Sequence, residues 1–364
     1  MALTPSEKRR KRRETINFKQ KIHAQRDWSK YVYKISDFVD KDELPESDTA
    51  LGIAAATRPE YFERTLQSIA GNPDVGKIPT FLFLDCHPDS RQSQITEQHK
   101  VIAKKYLPHC VIVERPVNFG CGRNIIDLRR QLFDVLGYDK VFVLEDDCLI
   151  SKNYFKFTSN LLDWSDANYS NVGVVQGHNF CILPDAVKKK HLPKVSAVST
   201  NLWAYLMKRQ CWDSIKDTVY KFESSYLTSR EYMHRPHAAI RDWFRSLSHD
   251  GFPSLGNSPV PLGKTETEKR YKFCESPPTG QDGVTNIALW NAGWDRLAPL
   301  VNRTLYIGKH GIHYTPEQFE SDGFGNHTLD HYSRDGSRKN FEMYSGTFRD
   351  FTQSGISGLS MVEA

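Results

Sequence analysis

A chain of 364 residues with 39% hydrophobic and 26% charged side chains can bury a substantial core and reads as globular, which excludes a fibrous or wholly disordered polymer. No apolar run approaches the roughly 20 residues that span a bilayer, and the N-terminus has no apolar signal core, so the expectation is a protein made and kept in the cytosol. The net charge of +5 is modest, and seven cysteines without a CxxC pair fit neither a complete disulfide framework nor a zinc ribbon.

Residues 1–45 read as a polar leader, with Trp28, Tyr31, Tyr33 and Phe38 packing its second half against a domain. Much of the net charge sits in Lys8, Arg9, Arg10, Lys11, Arg12 and Arg13. Such a block is first a solvated, flexible or helical tail and second a peripheral contact for anionic lipid, each basic residue contributing about 1 kcal/mol near such a surface. Nucleic acid comes third, and no DNA- or RNA-binding signature supports it.

A first buried strand is expected over Leu51–Ala56, followed by the loop Thr57-Arg58-Pro59 and a helix over Glu60–Ile69, where Pro59 suits the first turn. Thr80–Leu84 reads as a second strand ending in Asp85 and Cys86, and a helix over Ser93–Tyr106 follows. Cys110–Val113 is a third strand. Asn118-Phe119-Gly120-Cys121-Gly122-Arg123-Asn124 then opens a helix with Ile125, Leu128, Leu132, Phe133 and Leu136 inward. The fourth strand, Val141–Leu144, lacks period-2 alternation, as a strand buried on both faces should. It runs into Glu145, Asp146 and Asp147, with a helix expected from Ser151, which would cap it. Val172–Val175 supplies a fifth strand.

Strand and helix thus alternate from about residue 49 to 175, the pattern of a mostly parallel α/β sheet with crossover helices. The main domain is placed at 46–330, with a sheet half (46–175) and a less regular half (176–330), and 331–364 as a tail. In the second half, Leu202–Met207 reads as a strand and 222–274 as an aromatic, loop-rich stretch that suits either the wall of a polar ligand site or an ordinary irregular subdomain. A helix over Val284–Trp290 and a strand-like Thr304–Ile307 complete it.

Three adjacent carboxylates repel and raise one another's pKa, so they need a cation, hydrogen-bond donors or open water. At the carboxyl end of a strand in an α/β sheet they stand where ligands bind. Carboxylate oxygens suit Mg2+ or Mn2+, which bridge to phosphate oxygens. Other chemistries fare worse. Gly120-Cys121-Gly122 lacks the third glycine of a dinucleotide fingerprint, Ile125 standing there; no GxxxxGK[ST] exists; and Asp85 is followed by His87 where an aspartyl phosphatase wants a second Asp.

Three segments together, Ala56-Thr57-Arg58-Pro59, Leu84-Asp85-Cys86 and Phe142 to Phe157 with its Glu-Asp-Asp, resemble in order and spacing the GT-A glycosyltransferases, and more narrowly the N-acetylglucosaminyltransferase I family. The resemblance covers roughly Leu51 to Phe157 and implies a GT-A fold: a nucleotide-binding sheet with an irregular acceptor-side subdomain. It implies Arg58 and Asp85 lining a uridine and ribose pocket, Asp147 coordinating Mn2+ (or Mg2+) on the diphosphate of a UDP-sugar, and Glu145 and Asp146 contacting sugar, ribose or metal-bound water. Arg58 or Arg123 would add to neutralising the diphosphate, although Arg123 also reads as a surface charge at a helix start.

An inverting transfer needs a base for the acceptor hydroxyl. The family's Trp-Asp-Asp-Trp-like segment is absent, and Asp282 in Gly280-Gln281-Asp282-Gly283 is the candidate, with a helix cap as its other reading and Asp242 in reserve. Gly311-Ile312-His313-Tyr314 resembles the family's late His segment, one place displaced, which makes His313 a candidate near metal or diphosphate, with His310 and His327 as neighbouring alternatives. The expected activity is metal-dependent transfer of a sugar, GlcNAc-like, to a hydroxyl of a carbohydrate or glycoconjugate. Its rivals are a noncatalytic nucleotide-sugar binder and a metal-dependent nucleotidyltransferase. All of this requires an acidic trio that faces a cavity and is not consumed in ion pairs with arginines.

Overall fold

The apolar runs of the first half become strands because their residues are apolar at successive positions, which only a strand covered on both faces can bury. In the computed structural model, which describes residues 26–86, 93–179, 183, 185–198, 202–228, 232–247, 278–311, 315–321, 323–329 and 335–344, they are β1 (Thr49–Ala55), β2 (Thr80–Leu84), β3 (Val111–Glu114) and β4 (Lys140–Glu145). They lie side by side in the order β4-β1-β2-β3, all parallel, with Leu51 opposite both Phe142 and Thr80.

Helices α1 (Pro59–Ala70) and α2 (Ser93–Tyr106) cover one face, and α3 (Cys121–Arg129), continued by a π-helical turn over Arg130–Val135, covers the other. Alternation along the strands feeds both cores: Leu51, Ile53, Phe142 and Leu144 pack with Phe62, Leu66 and Ile69, whereas Ala50, Ala54, Val141 and Val143 pack with Ile125, Leu128 and Leu132. Gly52 lets α3 come close, since a Cβ there would stand 2.5 Å from a Leu128 methyl.

The second half is mixed. It contributes β6 (Val172–Gln176), β7 (Lys194–Ala197), β8 (Ala204–Lys208), β9 (Asp295–Pro299) and β11 (Glu342–Met343). Among the described residues nine strands form one sheet, β11-β7-β9-β6-β8-β4-β1-β2-β3. β6 does not neighbour β4: β8 lies between them, antiparallel to both, while β9 runs parallel to β6. A short antiparallel pair, β5 (Cys148–Ile150) with β10 (Thr304–Tyr306), sits just beyond β4. The remaining α-helices among the described residues are α4 (Tyr154–Asn168), α5 (Asp185–His191), α6 (Arg209–Phe222), α7 (His237–Leu247), α8 (Gln281–Asn291) and α9 (Pro316–Ser321).

Two helix starts differ from expectation. Ser151 is spent after β5, its N–H donating to the Arg303 carbonyl at 2.9 Å, and α4 begins at Tyr154 after Asn153. Asp282 lies inside the first turn of α8, not ahead of it, with Gly280 at the cap position. A carboxylate there still favours the helix dipole. The leader residues from Trp28 onward pack on α3 and its π turn, with Trp28 Nε1 donating to the Thr228 carbonyl at 2.7 Å and Gln131 Oε1 accepting from Ile35 N at 2.9 Å. Lys8 to Arg13 lie outside the described residues. Among those described, no helix is long and apolar enough to cross a membrane.

Candidate functional site

β4 delivers the acidic trio to the carboxyl edge of the sheet. Glu145 ends the strand, and the chain turns at Asp146 and Asp147 into β5. The turn is fixed from three sides: Asp146 Oδ2 accepts from Ala56 N at 3.1 Å, the Asp146 carbonyl from Thr65 Oγ1 at 2.9 Å, and the Asp147 carbonyl from Ile307 N at 2.9 Å. Arg58, in the β1–α1 loop, puts a single nitrogen between the two carboxylates. Its Nη2 lies 2.6 Å from Asp146 Oδ1 and 2.7 Å from Asp147 Oδ2.

That arrangement corrects the expectation of a trio free of arginine pairs: two of its three carboxylates are engaged. The physical reason is direct. Asp146 and Asp147 are each 4% exposed, and adjacent buried anions without a counter-cation are prohibitively unfavourable. The loop of the neighbouring strand supplies one. Burial still pushes the Asp147 carboxyl up to about 6, with Arg58 pulling against it.

Among the described residues no three metal-ligating side chains converge, so a protein-only metal cage is not present. The donor set nevertheless fits a hard divalent ion of another kind. Asp146 and Asp147 converge on one cation position, and such ions are commonly held by one or two carboxylates with phosphate and water oxygens completing the shell. Gly308 preserves the approach to that point, since a Cβ there would lie 2.5 Å from Asp147 Oδ2.

Glu145 is outside the arginine pairs. Its Oε2 lies 3.9 Å from the Cys121 thiol, at the start of α3. Burial first, then the charges of Asp147, Asp282 and Asp146, push its carboxyl well above the usual range. Asp282 therefore comes to the same edge from α8. Burial raises its carboxyl too, and two buried cations, Arg129 and Arg296, work against that rise. Arg129 is held by Gln281 Oε1 at 2.8 Å and Thr285 Oγ1 at 3.1 Å, and the Gln281 amide donates to Asp282. Arg296 Nη1 donates to Gln176 Oε1 at 3.2 Å.

The other candidates go elsewhere. Asp85 is buried at the end of β2, where Oδ1 accepts from Phe119 N at 2.7 Å and Oδ2 from Gly120 N at 2.8 Å and Asn118 Nδ2 at 3.2 Å. It shapes the loop before α3, in which Gly120 holds the positive φ of 75° that suits glycine. Arg123 turns away from the trio: its Nε pairs with Glu223 at 3.1 Å and its guanidinium stacks 3.8 Å over the Trp28 ring. Buried at a helix start, it ties the leader to α3. Asp242 is exposed on α7 and paired with Arg245 at 2.7 Å. His313 lies outside the described residues. His327 joins an aromatic wall, its ring 5.3 Å from that of His178, which lies 4.9 Å from Trp203. Trp203 stacks at 4.2 Å on Tyr306, whose hydroxyl lies against Gly308.

Sequence reasoning missed Cys121, Tyr232, Tyr306, Arg129 and Arg296. The structure shows why Tyr232 needs glycines around it: a Cβ at Gly120, Gly122 or Gly280 would collide with its side chain. The glycine pair that mimics half a nucleotide fingerprint thus seats an aromatic ring.

No family model and no curated protein matches this chain. Solved structures give weak likenesses. Staphylococcus aureus TarS 1–349 matches at 12% identity and TM-score 0.33, over 54% of this chain and 65% of that one. A mannosyltransferase, PcManGT from Pyrobaculum calidifontis, in complex with GDP-Man and Mn2+, matches at 12% and 0.31, over 76% and 79%. A cytidylyltransferase from Leptospira borgpetersenii matches at 11% and 0.29, over 50% and 65%. The match thus spans just under two thirds of the TarS fragment and of the cytidylyltransferase. Likenesses this distant assign no family, ligand or residue role.

Proposed function

We propose that this protein is a metal-dependent, inverting glycosyltransferase that moves a sugar, GlcNAc-like, from a UDP-sugar to a hydroxyl of a carbohydrate or glycoconjugate. One observation carries the reading: Asp146 and Asp147 meet at one cation position beside Arg58 at the carboxyl edge of a mostly parallel sheet, with Glu145 next to them in the chain and Asp282 near enough for its charge to act on Glu145. The engagement of Asp146 and Asp147 by Arg58 runs against the requirement of a trio free of arginine pairs, so the reading depends on Arg58 giving up those carboxylates when a ligand arrives.

In this reading Asp147, with Asp146, holds a divalent ion, Mn2+ or Mg2+, whose chemistry is to neutralise the diphosphate that leaves. Arg58 adds charge to the same group, and its planar guanidinium suits two phosphate oxygens at once. Asp282 takes the proton of the acceptor hydroxyl; burial raises its carboxyl, which makes it a stronger base, and Arg129 and Arg296 oppose that rise. Glu145, whose carboxyl is raised by burial and by the neighbouring carboxylates, can hydrogen-bond a sugar hydroxyl. The basic block Lys8 to Arg13 would hold the enzyme near anionic lipid.

The test is a donor panel with Mn2+ and a hydroxyl acceptor, reading released nucleoside diphosphate against pyrophosphate. Nucleoside diphosphate supports transfer; pyrophosphate released from a nucleoside triphosphate and a sugar phosphate would replace it with nucleotidyl transfer. Donor binding without turnover on any acceptor would leave a noncatalytic binder.

A further inference from the structure

The ion pairs at Arg58 carry a consequence for how ligands enter. We propose, as an extension resting on the donor reading, that Arg58 is a built-in counter-cation: it occupies the Asp146–Asp147 seat in the ligand-free protein and yields it to a divalent ion only when a diphosphate draws the guanidinium away. Metal and nucleoside diphosphate then bind interdependently.

Four observations support the exchange. One nitrogen, Nη2, serves both carboxylates, so the seat is a single point that a guanidinium and a metal ion cannot share. The Arg58 side chain is 26% exposed, against 6% and 5% for its partners, so it reaches the seat from the solvent side and can leave without opening the core. The seat survives its departure, because backbone groups of Ala56 and Ile307 and the Thr65 hydroxyl hold the turn independently. Among the described residues no other carboxylate forms an ion pair with Arg58; the Tyr61 ring lies 5.3 Å from it, and Tyr306 is also close enough to act on its charge.

Charge sets the order of events. A divalent ion alone must expel a guanidinium that has nowhere better to go, and the two cations repel. A diphosphate offers that guanidinium a bidentate partner and brings oxygens to complete the metal shell. Linkage then requires each ligand to strengthen the other by the same factor.

The experiment is Mn2+ uptake by the full chain, read as loss of the free Mn2+ electron-paramagnetic-resonance signal, alone and with UDP, GDP or CDP separately, against protein-free blanks. The proposal expects bare wild-type protein to bind Mn2+ at least about tenfold more weakly than with its preferred diphosphate, a typical coupling. Arg58→Met should bind Mn2+ alone at least about tenfold more tightly than wild type and lose most of the coupling. Arg58→Lys, which keeps a charge near the seat, should stay close to wild type. In wild type, the Arg58 side-chain nuclear-magnetic-resonance signal should move on adding the diphosphate without metal, a readout that needs no variant to fold. If a diphosphate binds but the Arg58 signal stays still, or folded Arg58→Met takes up Mn2+ within twofold of wild type, the exchange is wrong and the donor reading stands. If none of the three diphosphates binds with or without Mn2+, both fall.

Discussion

Two strand ends on either side of β1 carry the same residue type to opposite uses. At the end of β2, Asp85 is satisfied by the backbone amides of Phe119 and Gly120. At the end of β4, Asp146 and Asp147 are satisfied chiefly by one arginine side chain. Backbone donors are part of the fold and cannot leave; a side chain on a loop can. A carboxylate oxygen met by amides is therefore architecture, and one met by a guanidinium on a loop, as Asp146 Oδ1 and Asp147 Oδ2 are, is exchangeable and open to ligands.

The largest effect should come from the exchangeable end. Asp147→Ala should cut metal-dependent turnover at least about a thousandfold, the scale of losing a main electrostatic group in a transition state, while circular dichroism and melting stay near wild type. Full activity in that variant would erase the distinction between the two ends. Asp282→Asn should lower transfer by roughly 10²–10⁴, as expected for removal of a general base, and spare donor binding measured by calorimetry. Transfer that persists moves the base elsewhere.

The architectural end responds in stability. Asp85→Ala orphans two loop amides, and at 1–3 kcal/mol for each unsatisfied buried group the cost should be about 4 kcal/mol, read as a lower denaturation midpoint. A donor-binding defect in Asp85→Ala without any loss of stability would show that the carboxylate serves the ligand and not the loop.

The aromatic wall extends the comparison through pH, because burial favours the neutral form of its histidine rings. Burial lowers His327 from the ordinary histidine value to about 4, and lowers His178 as well. A depressed histidine means the unfolded chain takes up the proton first, so stability is full above about pH 6.5 and falls as pH drops towards 4. The shift of His327 corresponds to a loss of roughly 3 kcal/mol at the acid limit. His327→Gln should flatten that limb; an unchanged acid profile would place the proton uptake on another group.

The sequence marks the strand end and not its partners. The runs at Leu51, Thr80 and Val141 are legible because burial on both faces needs consecutive apolar residues, and the position of Glu145 to Asp147 follows from where the run stops. Asp282 is legible as a carboxylate between glycines. The contrast between Asp85 and Asp147 is not, because it depends on which loop folds over each strand end. Nor is β9, whose Asp295, Arg296 and Pro299 interrupt the apolar run that marks the other strands; β6 and β7, which flank it, make it one. Arg123 looks like a phosphate ligand beside two glycines, and only the leader's Trp28 shows where its charge goes.

The central claim is that the β4 edge grips a divalent ion against a diphosphate. Anomalous diffraction from crystals of the protein grown with Mn2+ and its preferred nucleoside diphosphate tests it most directly. The account predicts a manganese peak bound to an Asp147 carboxylate oxygen and to phosphate oxygens, with the Arg58 guanidinium moved onto the diphosphate. A bound diphosphate with no manganese at Asp147, and Arg58 still seated between Asp146 and Asp147, would contradict it.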